Sequence, residues 1–220
     1  MGCIRFKGAT LESLTAITVP PTRGLPPSGT IIALHGFGAN AEDLASLAPF
    51  LNLPDYQFIF PLAPFPHPSV SGGKMWYDFD ANRGYAESRQ LLTDWLLSLE
   101  NQTGVPLSRT ILSGFSQGGA MTLDVGLTLP LAGLVSLSGY LHPISASMNK
   151  NSFPPVLIVH GRQDRVVPLS SAIKARDTLL SLGVSVEYRE FDMGHEVQPD
   201  VLNLFRSFVL RVGGYRPKIN

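Results

Sequence analysis

The sequence predicts an α/β fold in which a mostly parallel central sheet carries helices on both faces. Short apolar runs rich in branched residues recur along the chain, longer stretches with helical spacing follow them, and clusters of proline and glycine separate the two. Continuous apolar runs of this length are what strands buried on both faces require. Strand and helix in repeated alternation favours parallel pairing through crossovers.

The strands are expected at Ile31 to Leu34, Phe58 to Phe60, Thr110 to Leu112, Leu134 to Leu137, Val156 to Val159 and Val184 to Phe191. The helices are expected at Ala41 to Leu51, Ala86 to Leu99, Gly118 to Leu129, Leu169 to Leu182 and Gln198 to Val212; in the second, Leu92, Trp95, Leu96 and Leu99 share one face. Pro20 to Gly29 and Pro61 to Gly73 read as loops. Residues 1–220 read as one domain with a loop insertion at about 61–85, and no repeat is evident.

Composition narrows the function classes. The 220 residues are 44% hydrophobic and only 15% charged, against roughly 25% charged in an average soluble protein, which excludes general disorder. Lys plus Arg (17) equals Asp plus Glu (17), so neither a nucleic-acid footprint nor a polybasic membrane patch is expected. The single cysteine, Cys3, cannot form an internal disulfide, and a reducing cytoplasm suits it. Gly8, Thr10 and Glu12 interrupt any signal-peptide core, and the run Leu131 to Leu141 is too short and too polar to span a membrane. Met1-Gly2-Cys3 lacks the Ser or Thr that myristoylation favours at Phe6. The low charge fraction permits an apolar homodimer interface and permits a monomer equally.

In parallel sheets, ligands bind past the carboxyl ends of the strands. Thr110 to Leu112 leads into Ser113-Gly114-Phe115-Ser116-Gln117-Gly118-Gly119, which contains Gly-x-Ser-x-Gly. In a strand-turn-helix context this is a nucleophile elbow, a tight turn that lifts a serine hydroxyl above the sheet. The hydroxyl needs a base, and the base needs an orienting carboxylate, in the chain order Ser, acid, His. Asp164 follows one strand in Gly161-Arg162-Gln163-Asp164, and His195 follows the last in Asp192-Met193-Gly194-His195. Each interval leaves room for about a helix and a strand.

Rivals fall away on position. Asp124 and Asp177 lie in expected helices and suit solvated or ion-pair roles, while Asp192 is near His195 only through a short loop. His160 precedes Asp164 and suits a structural role, and His67 and His142 read as solvated loop residues. No His-Glu-x-x-His or other metal spacing occurs. The oxyanion donors are expected to be the backbone N–H of Gln117 and, from His35-Gly36-Phe37-Gly38-Ala39-Asn40, that of Phe37. Gly36-x-Gly38-x-x-Ala41 also resembles a dinucleotide fingerprint, but Pro61-Leu62-Ala63-Pro64 follows the next strand where a ribose-binding acid would stand.

On these segments, together with Gly73-Lys74-Met75-Trp76-Tyr77-Asp78 and Val167-Pro168, the chain resembles the α/β-hydrolases, and more narrowly the phospholipase/carboxylesterase family that includes acyl-protein thioesterases. The resemblance implies Ser116 as nucleophile, Asp164 and His195 as its partners, Phe37 and Gln117 as oxyanion donors, and hydrolysis of acyl esters, thioesters or lysolipids without a cofactor or metal. Residues 1–29 contribute nothing to it, and Ala39-Asn40 ahead of Glu42-Asp43 suggests a different cap on the first helix. Leu62 and Trp76 are expected in an acyl pocket, with plain core packing as the other reading of Trp76. The alternative function is a noncatalytic hydrolase-fold protein that binds an apolar ligand.

Overall fold

The computed structural model describes residues 14–24, 26–80, 83–144 and 152–213. The Met1-Gly2-Cys3 start lies outside them. In chain order the elements are β1 (Ala16–Val19), β2 (Gly29–Leu34), α1 (Ala41–Ala45), β3 (Tyr56–Pro61), β4 (Phe65–Pro66), β5 (Lys74–Met75), α2 (Tyr85–Thr103), β6 (Thr110–Phe115), α3 (Gln117–Gly126), β7 (Gly133–Leu137), β8 (Val156–Gly161), α4 (Leu169–Ser181), β9 (Val186–Phe191) and α5 (Pro199–Val212). Short 3₁₀ turns stand at Ala48–Leu51 and Leu107–Arg109.

Seven strands form the main sheet in the order β1-β3-β2-β6-β7-β8-β9. All neighbours are parallel except β1, which pairs antiparallel with β3. Alternation along each strand divides the core between the two faces. Ile32, Leu112, Leu134 and Ile158 face α2, α3 and α4, where Leu92, Leu96, Met121 and Leu179 meet them. Ile31, Ile111, Val135 and Leu157 face the other way, onto Ala41, Leu51, Val201, Phe205 and Phe208. Each large side chain so buried contributes about 1.5–3 kcal/mol.

Two departures from the sequence reading have local causes. The expected helix Ala41 to Leu51 breaks after Ala45 and resumes as the 3₁₀ turn. Pro49 would lack an N–H to give to the Ala45 carbonyl, and its ring would clash there. The cap expected to be unusual is a complete capping box: Asn40 Oδ1 accepts from the Asp43 N–H at 3.1 Å, and Asp43 Oδ2 accepts from the Asn40 N–H at 2.9 Å. The second departure is β1, an edge strand within residues to which the sequence assigned nothing. It is only four residues long and half-exposed, with Ile17 and Val19 turned to the core.

Between β3 and α2 the chain makes a small hairpin, β4 with β5, paired Phe65 with Met75 and Pro66 with Lys74. The hairpin lies within residues 61–85. Among the described residues no helix is long and apolar enough to cross a membrane.

Candidate active site

The turn from β6 into α3 holds Ser116 at φ 54° and ψ −118°, left-handed for a residue that is not glycine. Such strain persists only where the surroundings over-determine it. Here they do: the Ser116 N–H donates to Leu137 O at 2.8 Å, and the Ser116 carbonyl accepts from the Ala120 N–H at 3.1 Å. Two glycines make the turn compact. A Cβ on Gly114 would stand 2.3 Å from the Gly118 carbonyl, and one on Gly118 would stand 2.1 Å from Leu34 O, so backbone occupies both spaces.

Asp164 follows β8 and His195 follows β9, so their strands bring them to the carboxyl end where Ser116 stands. His195 Nδ1 lies 2.7 Å from Asp164 Oδ2, and because a carboxylate only accepts, Nδ1 carries the proton and Nε2 is left bare. The other oxygen, Oδ1, accepts from the Val166 and Val167 N–H groups, both at 2.9 Å. Burial by itself would raise the Asp164 pKa, but the hydrogen bonds from His195, Val167 and Val166 outweigh it and hold the carboxyl below its ordinary range.

The rival acids are engaged elsewhere. Asp192 pairs with Arg162 at 2.8 Å, its side chain 75% exposed, whereas the Asp164 side chain is fully buried. Asp124 pairs with Arg89 at 3.1 Å and Asp177 with Arg176 at 2.7 Å. His160, fully buried, donates from Nε2 to Val167 O at 2.8 Å and so ties down the loop that carries Asp164, whose Oδ2 stands 3.4 Å from the same nitrogen.

Two other histidines depart from the solvated loop roles expected of them. His142 packs among Tyr77, Tyr85 and Tyr140, with Nε2 at 3.0 Å from the Tyr77 hydroxyl; burial lowers its pKa. His67 accepts the Ser69 and Val70 N–H groups at Nδ1, at 3.1 and 3.0 Å, and its ring meets Phe37. Most of their aromatic partners come from distant segments, Phe37 from the loop after β2, Tyr77 from the stretch after β5 and Tyr85 from α2, and only Tyr140 is a near neighbour in the chain.

The loop after β2 comes hard against the elbow, since a Cβ on Gly36 would stand 3.3 Å from Ser116 Cβ. The Gly38 N–H goes to Lys74 O and the Ala39 N–H to Gly36 O, while among the described residues no acceptor takes the Phe37 N–H. The Gln117 N–H opens α3, where first-turn N–H groups have no intrahelical acceptor.

A cleft of about 530 Å³ contains Ser116, His195 and Gly36, with Phe37, Phe79, Phe115, Tyr140, Val166, Val167 and Pro168 in its apolar walls. His195 packs on Phe115 at 4.7 Å between ring centroids. Leu62 and Trp76 do not line this cleft, so their expected place in an acyl pocket is corrected. Trp76 is fully buried, with its indole N–H donating to His35 O at 2.9 Å, and Leu62, partly buried, packs against the core cluster that includes Phe58 and Phe60. Tyr140 and Val166 take their place. Each lies a few residues past a strand end, which is the signal that would have found them. Among the described residues no group of three or more His, Cys, Asp or Glu converges as a metal site would.

Similarity to known proteins bears on what such a site belongs to. The sequence profile of the phospholipase/carboxylesterase family matches residues 21–212. Acyl-protein thioesterase 1 of Neurospora crassa is 32% identical over 210 residues, covering 83% of this chain and 86% of that protein. Its Saccharomyces cerevisiae namesake is 31% identical, covering 84% and 92%. The crystal structure of esterase PE8 superposes with a TM-score of 0.84 at 31% identity, covering 91% of this chain and 99% of that one. The Bacillus cereus carboxylesterase shares the fold at a TM-score of 0.78 and 13% identity, covering 92% and 96%. With a strained serine elbow on a mostly parallel sheet and the family profile running from before β2 to the end of α5, the chain belongs to the phospholipase/carboxylesterase family of α/β-hydrolases.

Proposed function

We propose that Ser116, His195 and Asp164 act together to hydrolyse carboxylic acyl esters or thioesters through an acyl-enzyme. His195 Nε2 takes the Ser116 proton as the hydroxyl oxygen attacks the substrate carbonyl. The carbonyl oxygen becomes an oxyanion and is held by the Phe37 and Gln117 N–H groups. The tetrahedral intermediate collapses as His195 gives its proton to the leaving alcohol or thiol. Water then repeats the path on the acyl-enzyme and frees the acid. Asp164 fixes the His195 tautomer and stabilises the imidazolium without taking the proton itself.

The observation that carries this reading is the 2.7 Å contact between His195 Nδ1 and a carboxylate whose other oxygen is already filled by two N–H groups. Of the two histidines near the remaining oxygen, His195 at 2.7 Å is closer than His160 at 3.4 Å, and His195 is the one that lines the cleft holding the serine. The apolar walls favour an uncharged acyl group near the reacting carbon, and the names of the thioesterase relatives bring thioesters within the substrate class. A cytoplasmic location fits the single cysteine.

Labelling with a fluorophosphonate and mapping the adduct tests the proposal. The adduct is expected on Ser116, with loss of esterase activity in proportion to labelling. Activity that survives complete labelling, or an adduct elsewhere, would overturn it.

A further inference from the structure

The two N–H groups proposed to hold the oxyanion belong to different segments, the loop after β2 and the first residue of α3, and something must keep them at a fixed separation. Trp76 stands between them, fully buried and with each of its three polar groups engaged. Its backbone N–H donates to Gln117 Oε1 at 2.9 Å, its indole N–H donates to His35 O at 2.9 Å, and its carbonyl accepts from the Ser88 hydroxyl. The Gln117 side chain completes a paired contact by donating from Nε2 to Tyr77 O at 2.8 Å. It therefore reads the 76–77 backbone much as a neighbouring strand would, with one bond given and one taken.

The other end of this chain of contacts reaches Phe37 through His35. Ala63 N–H points at His35 Nε2 at 3.1 Å, which obliges Nε2 to accept and places the ring proton on Nδ1. Nδ1 then donates to Gly36 O at 2.8 Å, and the Ala39 N–H joins it at 3.2 Å. In a planar trans peptide the carbonyl and the following N–H point in opposite directions. Holding Gly36 O therefore aims the Phe37 N–H. An unbroken series runs from the Gln117 residue through its own side chain, Trp76 and His35 to the peptide that carries the second donor.

We infer that Trp76 and the Gln117 side chain are positioning residues that brace the two oxyanion donors against each other, a role beyond core packing. The inference rests on the proposed serine mechanism. Neither side chain touches substrate; they act through the spacing of the Phe37 and Gln117 N–H groups. Since an oxyanion needs both donors at once while a ground-state carbonyl needs them less, loosening the brace should be felt in turnover and hardly in substrate binding.

The test compares Trp76→Phe, which deletes the indole N–H, Gln117→Met, which keeps volume and deletes the side-chain pairing, and the double variant. Turnover and KM are measured on a p-nitrophenyl ester, the inhibition constant on a trifluoromethyl ketone whose serine adduct bears an oxyanion, and Tm on each variant. Each single change should lower kcat by about 10- to 100-fold. KM should stay within about twofold, and the ketone should weaken in step with kcat. The double variant should be little worse than the worse single, because both changes cut one series. Losses that fall on KM with the ketone unaffected, or that multiply in the double variant, would overturn the brace. If Trp76→Phe fails to fold, the Gln117→Met split between kcat and KM decides alone. Ser116→Ala assayed alongside separates the two claims: activity retained there would overturn the serine mechanism, whatever the brace variants do.

Discussion

Asp164 Oδ2 sits 2.7 Å from His195 Nδ1, while the Asp164 Oδ1 is closed off by the amides of Val166 and Val167. The carboxylate is thus held by its own loop before it meets the histidine. Its side chain is fully buried, and the next group near Oδ2 is His160 Nε2, farther off at 3.4 Å. A base oriented in this way keeps one tautomer, with Nε2 free to take a proton.

Asp164→Asn should therefore cost on the order of 10⁴ in kcat, because an amide can present its N–H to Nδ1 and stabilise the wrong tautomer. Asp192→Asn removes an exposed partner of Arg162 and should leave kcat within about twofold. Steady-state kinetics on an activated ester checks both. Greater damage from Asp192→Asn would mean that the acid is misassigned.

Acid should act on stability through two histidines. His35 and His142 both have pKa values lowered from 6.5, chiefly by burial. Between their lowered folded values and 6.5 the unfolded chain binds more protons, so stability is full above that window and is lost as pH falls through it. Asp164, shifted below its ordinary range, adds a loss only at still lower pH, as its folded carboxyl takes up a proton. Tm measured against pH should fall on going below about 6.5, and His142→Phe should flatten part of that slope. A Tm that rises with acid in this window would contradict the sign.

The apolar walls predict a chain-length effect. Each methylene that enters the cleft gains up to about 0.8 kcal/mol, or roughly fourfold in kcat/KM, until the room is used up. p-Nitrophenyl esters should improve from acetyl to medium length and then plateau. Phe79 lines the cleft and is half-exposed, so Phe79→Ala should flatten the slope more than it lowers acetyl-ester turnover. Monomeric substrate concentrations are required, since micelles would imitate a preference. An unchanged slope would remove Phe79 from the acyl path.

Backbone crowding at the elbow gives a prediction about folding. Gly118→Ala would force a Cβ to 2.1 Å from Leu34 O, where backbone cannot give way, and should cost on the order of 3 kcal/mol or prevent folding. Gly104→Ala meets nothing within 4 Å and carries only the strain of φ +69°, about 1 kcal/mol. Thermal melts of the two variants compare the effects directly. Equal losses would show that space at the elbow is not limiting.

Much of this architecture was legible because the strands that carry it are buried on both faces. Ile31 to Leu34 and Val156 to Val159 announce themselves as unbroken apolar runs, and the residues just past them then supply the candidate site. β1 was not legible, since four alternating residues on an exposed edge leave too short a pattern. Pro49 marked the break after Ala45, a signal present in the chain and outweighed by the helical spacing around it. Trp76 was misplaced for a physical reason: an apolar loop residue can face a cleft or fill the core, and composition is the same in both cases. Only the folded positions of His35 and Gln117 decide it. The His142 partners Tyr77 and Tyr85 come from distant segments in the same way.

The central claim is that the Ser116 hydroxyl attacks the substrate. Turnover of an activated ester by Ser116→Ala, measured beside its thermal melt, tests this most directly. The account predicts a loss of about 10⁴ to 10⁶ in kcat with Tm essentially kept, because no other group can form the acyl-enzyme. Activity retained at about a tenth of the parent or more, in a protein that melts normally, would contradict it.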